Sequence, residues 1–87
     1  MSLELHATVS GDELCRRLAA EMVGRFVELA GGSRDASAKA EAEVQAALDA
    51  VASGAAEIAI AIRRAGAAVV VNVSCGTRDA ECTIGIG

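Results

Sequence analysis

The sequence predicts an α+β two-layer sandwich, with two helices on one face of a mostly antiparallel sheet in the order β-α-α-β-β-β. Residues 57–74 form two runs of alternating β-branched residues around Gly66, a pattern typical of a β-hairpin. Two long segments with helical periodicity precede this hairpin and can cover its aliphatic side. We expect residues 1–87 to form a single small domain.

Composition limits the classes of function. The chain has 87 residues, 53% of them hydrophobic, and its mean hydropathy is +0.40, which argues against disorder. Its one aromatic residue is Phe26, so an alanine-rich core predicts modest stability and a tendency to pair. The net charge of −4 argues against binding of nucleic acid or an anionic membrane.

Neither a transmembrane run nor a secretory signal is evident in the sequence, and the cysteines do not suggest a zinc site or a disulfide framework. Cys15, Cys75 and Cys82 are odd in number and lack CxxC spacing. We therefore expect a cytoplasmic protein without a metal or another cofactor.

Residues 3–32 are predicted to form the first strand and the first helix. Alternation of Leu3, Leu5, Ala7 and Val9 predicts a half-buried strand. Ser10 and Glu13 fit a capping box at the start of the first helix. Gly31-Gly32 could bind an anion before the second helix, but the pair fits the end of the first helix better. The stripe expected to face the core consists of Leu14, Leu18, Met22, Phe26 and Leu29.

The second helix has Ser33 or Asp35 as candidate N-cap and Gly54 as its stop. After the hairpin, a turn is predicted at residues 76–79, followed by a last strand. The predicted buried face of the helix consists of Ala40, Val44, Ala47, Leu48 and Val51. Inward residues of the last strand are Ala80, Cys82, Ile84 and Ile86.

Residues 40–76 resemble the core of the histidine-kinase-like ATPase superfamily, especially its anti-sigma-factor-type switch kinases. In that family the second helix carries Glu-x-x-x-Asn and the hairpin ends in Asp-x-Gly. The resemblance places Glu43 at the glutamate that acts as general base, and Ala47 at the asparagine that holds magnesium and phosphate. Gly76 matches the motif glycine, but Ser74 replaces the aspartate that accepts the adenine amino group.

The resemblance therefore implies a degenerate, truncated relative without the usual ATP chemistry, that is, a non-catalytic bacterial regulatory or protein-interaction module acting as a homodimer. An alternative is a small-ligand or nucleotide-binding protein that uses the cleft between the second helix and the hairpin. That cleft would be lined by Glu43, Ser74, Cys75 and Gly76. A third hypothesis, an enzyme using Cys75 or His6, is weaker because neither has a recognisable catalytic partner in the sequence.

The sheet face turned away from the helices is predicted to be flat, with small side chains at its centre. Its margin is polar, with Glu4, His6, Arg63, Asn72 and Glu81. Such a composition favours contact with another protein, although a tolerant exposed alanine face is the plainer explanation. We expect a homodimer through this face or through the terminal edge strand, with a regulatory protein as a further partner. The predicted interface residues are Ala59, Ala61, Ala68 and Val70.

Overall fold

The computed structural model describes residues 4–54 and 56–86 and has the predicted α+β architecture. Leu3, assigned above to the first strand, lies outside the described residues. The elements in chain order are β1 (Glu4–Val9), α1 (Glu13–Leu29), α2 (Arg34–Val51), β2 (Ile58–Ala65), β3 (Ala68–Cys75) and β4 (Arg78–Gly85). Neither described helix is long and apolar enough to cross a membrane.

The sheet is an antiparallel meander in the order β1-β2-β3-β4, and both helices are inserted between β1 and β2. Each hairpin closes with a two-residue turn whose first residue is a glycine, Gly66 at φ +61° and Gly76 at φ +62°. Glycine with positive φ at this position is what a type II′ turn requires, and such turns match the twist of the strands. The turn predicted at residues 76–79 is present but shorter: it consists of Gly76 and Thr77, while Arg78 and Asp79 belong to β4.

The core lies between the sheet and the two helices. It is formed by aliphatic side chains of β2, β3 and β4 and by valine, leucine and alanine of the helices. Its largest side chain, Phe26 of α1, is 7% exposed. The aliphatic side chains that are almost completely inaccessible are Val23, Val27, Val44, Leu48, Ile58, Ile60, Ile62, Val69, Val71, Val73 and Ile84.

Helix α2 buries the face that the sequence predicts. Ser33 is its N-cap and accepts a hydrogen bond from the Ala36 amide at 3.1 Å. The five predicted residues of its apolar face are all buried. The helix ends at Val51, before the predicted stop at Gly54, because Ala52 leaves the helical conformation at ψ 138°.

The N-cap of helix α1 is Asp12 and not Ser10, so the predicted capping box is wrong. The Asp12 carboxylate accepts from the Cys15 amide at 2.8 Å, while the Ser10 hydroxyl lies too early and donates to Asp12 instead. At the other end the prediction is confirmed. Gly31 has φ +102°, and the Gly32 amide donates to the Val27 carbonyl at 2.8 Å, as in a Schellman motif.

The predicted core stripe of α1 is largely wrong. Leu14, Leu18 and Leu29 are 61%, 54% and 83% exposed, and only Phe26 of the predicted stripe is buried. The residues that α1 buries are mostly small: Ala19, Ala20, Val23, Gly24, Phe26 and Val27.

Close contact between the two helices explains this orientation. The buried Ser37 hydroxyl of α2 donates to the Gly24 carbonyl of α1 at 2.9 Å, and a Cβ on Gly24 would lie 3.1 Å from that hydroxyl oxygen. At the other end of the helix pair, the Arg16 guanidinium donates to the Asp49 carboxylate at 2.9 Å and also to the Gly11 carbonyl. Because α2 packs against the small residues of α1, the leucines of α1 lie on its exposed surface.

Candidate functional site

The four residues predicted to line a ligand cleft do not surround one space. Glu43 is exposed on α2, where its backbone carbonyl accepts from the Cys82 thiol of β4 at 3.7 Å. Ser74 lies on the sheet face opposite the helices, Cys75 is buried in the core, and Gly76 lies in the β3–β4 turn. The sheet therefore separates the Ser74 side chain from Glu43.

The space between α2 and the hairpin is filled by apolar side chains. Val44 and Leu48 of α2 and Val71 and Val73 of β3 belong to one core cluster and are at most 1% exposed. Ala47, at the position of the family's asparagine, is buried in the same cluster. This packing gives the region between helix and hairpin a structural role.

The pKa values of two cysteine thiols are raised above their ordinary value. A hydrogen bond to Asp12, followed by partial burial, raises the pKa of the Cys15 thiol. Burial, followed by the nearby carboxylates of Glu43 and Glu81, raises the pKa of the Cys82 thiol. A raised pKa reduces the thiolate fraction at neutral pH, which makes both groups weak nucleophiles.

The single histidine is exposed on the outer sheet face. His6 Nε2 donates to the Glu4 carboxylate at 3.0 Å, a contact between two solvated side chains of the same strand. Among the described residues, no group of three or more His, Cys, Asp or Glu side chains is placed to hold a metal ion.

The outer sheet face, meaning the face turned away from the helices, has the predicted composition. Cross-strand pairing places His6 beside Ala61, Ala61 beside Asn72, and Asn72 beside Glu81. A shallow trough runs along its middle, and the side chains that line it include His6, Thr8, Ala59, Ala61, Asn72 and Ser74.

The four predicted interface residues differ in how much surface they offer. Ala59 is exposed, Ala61 and Ala68 are half-buried, and Val70 is only 7% exposed. Val70 is paired with Arg63 and Thr83 in the neighbouring strands, whose longer or branched side chains flank it. The apolar area on this face is therefore smaller than the sequence pattern predicts.

A second surface was missed by the sequence reasoning. It lies where α1 passes the edge strand β1, and an apolar groove there is lined by Val9, Ser10, Cys15, Leu18, Ala19 and Met22. Leu14 precedes Leu18 by one helical turn and is also exposed. We call Val9, Leu14, Leu18 and Met22, with the groove between α1 and β1, the leucine surface.

The signal for the leucine surface was present in the sequence. Leu14, Leu18 and Met22 belong to the repeat that the sequence analysis places in the core. Helix α1 also carries a second apolar stripe of smaller residues, which is an alternative candidate for the buried face. No family model and no curated protein matches the chain.

Proposed function

We propose that this protein is a non-catalytic regulatory module that acts as a homodimer, related to anti-sigma-factor-type switch kinases but without their ATP chemistry. The observation that carries the proposal is the leucine surface. Leu14 and Leu18 are more than half exposed on a domain of 87 residues, beside the half-buried Val9 and Met22.

Burial of this surface would be favourable. Removing a leucine side chain fully from water contributes about 1.5–3 kcal/mol, and each of two identical copies would contribute the same residues. A small domain whose core relies on alanine and valine has little stability to spare. Pairing of two copies would add apolar burial that one copy lacks.

The absence of ATP chemistry is supported by the positions of the motif residues. Ala47 carries no oxygen ligand and is buried in the core, and the sheet separates Glu43 from Ser74. A general base and an adenine-binding group would need to face one bound nucleotide.

The outer sheet face is the proposed contact surface for a regulatory protein. Small side chains at Ala59 and Ala61 leave the strand backbone accessible, while His6, Asn72 and Glu81 provide polar groups around them. A polar rim around a small apolar centre is the usual composition of a transient protein interface. The leucine surface lies on the helix side of β1, so a dimer formed there leaves the outer face accessible.

Two measurements test the proposal. Multi-angle light scattering should give twice the 8.7 kDa chain mass, and this mass should fall towards that of one chain on dilution. Titration calorimetry with ATP or ADP and magnesium should show no saturable heat. A chain that stays monomeric over the whole dilution series contradicts the homodimer, and saturable nucleotide binding contradicts the non-catalytic assignment.

A further inference from the structure

Strand β4 is an edge strand of the described sheet, so the backbone groups on one of its sides have no strand beside them. The Ile86 amide donates to the Ala67 carbonyl at 2.8 Å, and the ladder to β3 continues from there at every second residue. The residues between these bonded positions direct their N–H and C=O groups away from the sheet. They are Asp79, Glu81, Thr83 and Gly85, and all four are exposed.

This open edge of β4 is long and regular. It extends over eight residues, and the register with β3 continues through all of them without a bulge. Natural sheets commonly protect an edge with a proline, a bulge or an inward-pointing charge. The chain contains no proline, and the residues of β4 that point towards the helices after Arg78 are uncharged. The edge is therefore suited to pair with a further strand.

The outer side of this edge is acidic. Asp79 and Glu81 place their carboxylates there, beside the uncharged Ser74 and Asn72 of β3. Within residues 4–54 and 56–86, neither carboxylate forms an ion pair. The one basic residue of β4, Arg78, is paired with the buried Cys75 next to the turn and so belongs to the helix side. A strand added to β4 would meet two negative charges on its outer side.

The helix side of the same edge is apolar. Its half-buried residues, which pack against the core, are Ala80, Cys82 and Ile86. A strand added beside them would remove their remaining apolar surface from water, provided that its own residues on this side are aliphatic. The two sides of the edge thus select different residues at alternate positions of an added strand.

We propose that the open edge of β4 binds an extended basic segment of a partner protein, which adds a strand to the sheet. The segment carries lysine or arginine on its outer side, opposite Asp79 and Glu81, and aliphatic residues on its helix side. Main-chain hydrogen bonds hold such a strand, and its alternate side chains give specificity. The inference rests on the proposed regulatory function, which supplies the partner, and names the segment and the edge that meet.

Charge disfavours a second copy of this chain at the same edge. Antiparallel pairing of two β4 strands would bring two copies of Asp79 and two of Glu81 to one face of a short ladder. Like charges across paired strands are destabilising, whereas opposite charges contribute favourably. The leucine surface lies beside β1, at the other edge of the described sheet, so the proposed homodimer leaves β4 accessible.

The test uses a capped synthetic peptide of alternating lysine and valine that begins and ends with lysine. Titrated into the ¹⁵N-labelled chain, it should give saturable shifts of the Asp79, Glu81 and Thr83 amide signals and slow the exchange of these amides with solvent. N-methylation of the lysines removes the donors that face β4 and should abolish binding. N-methylation of the valines, whose N–H groups point away from β4, should preserve it.

A matched pair of variants tests the charge. Glu81→Lys should weaken peptide binding about tenfold, because it replaces an attraction by a repulsion. Glu21→Lys makes the same change in net charge on the exposed surface of α1 and should leave the affinity unchanged. A peptide of alternating glutamate and valine should not bind. Circular dichroism of each variant checks that the fold is retained.

The outcomes separate this inference from the proposed function. Absence of saturable binding, equal effects of the two N-methylated peptides, or equal effects of Glu81→Lys and Glu21→Lys would overturn the inference alone. So would protection of the β4 edge amides by a second copy, seen as slower exchange at higher concentration of the chain without peptide. A monomeric chain, or saturable nucleotide binding, contradicts the proposed function but does not change the result expected with the peptide.

Discussion

The two helices have nearly the same length, 17 and 18 residues, but they relate to the core in opposite ways. Helix α2 buries its larger aliphatic residues, Val44, Leu48 and Val51, and exposes polar residues and alanines. Helix α1 buries mainly small residues and exposes Leu14 and Leu18. The difference shows that a helix with two apolar stripes need not bury the larger one in its own core.

The reason is the close approach of the helices. Gly24 and Ala20 provide a narrow face on α1, and α2 presents Ser37 and Ala40 as buried small residues of its own. Small residues let helix backbones approach, and the Ser37 hydrogen bond to the Gly24 carbonyl fixes that approach. Leu14 and Leu18 consequently lie outside the core, on the leucine surface.

The largest expected effect concerns the buried leucine of α2. Leu48→Ala should lower the free energy of unfolding by about 2–5 kcal/mol, because Leu48 is 0% exposed and its truncation leaves a cavity. Leu29→Ala, the same change on the exposed side of α1, should cost less than about 0.5 kcal/mol. Urea denaturation measures both. Equal losses would show that the two helices do not differ as described.

A smaller effect is expected from the contact between the helices. Ser37→Ala removes the side-chain donor to Gly24 and should cost about 1 kcal/mol in urea denaturation. Ser53→Ala is the matched control, because Ser53 is exposed beyond the end of α2. If Ser37→Ala is no more destabilising than the control, the hydrogen bond does not fix the position of the two helices.

The smallest effect concerns the start of α1 and its pH dependence. The hydrogen bond from the Cys15 amide, followed by that from the Cys15 thiol, lowers the pKa of the Asp12 carboxyl below its ordinary value of 3.8. As the pH falls, the unfolded chain takes up this proton first. The stabilisation by Asp12 is therefore complete above pH 3.8 and is lost as the pH falls through the lower folded pKa.

Asp12→Asn keeps an oxygen acceptor at the N-cap but removes the titrating group. Its unfolding free energy should therefore fall less steeply than that of the wild type as the pH decreases below 3.8. Thermal unfolding at a series of acidic pH values measures the two slopes. Identical slopes would show that Asp12 does not cap the helix through its charged form.

Much of the fold followed from the sequence because local patterns constrained it strongly. In β3, the alternation around Val71 allows only two orientations of the strand relative to the helices. The small residues Ala59 and Ala61 of the neighbouring strand β2 indicate which face of the sheet the helices leave uncovered. The glycines at 66 and 76 mark turns that fix the register of both hairpins. The apolar face of α2 could be predicted because its larger aliphatic residues, Val44, Leu48 and Val51, share one face, whereas its other apolar stripe contains only alanine.

What could not be predicted depended on contacts between elements. Two apolar stripes on α1 are equally periodic, and only the position of α2 decides between them. Ser10 and Asp12 are both good N-caps, and the choice depends on where the first helical residue falls. For the candidate site, the resemblance aligned Glu43 and Ser74 in sequence but could not show that the sheet lies between them.

The most direct test of the central claim is an isotope-filtered nuclear Overhauser experiment on a mixture of labelled and unlabelled chains. We expect contacts between subunits that involve the Leu14 and Leu18 methyls of the leucine surface. Contacts between subunits that involve only the Ala59 and Ala61 methyls would contradict the account.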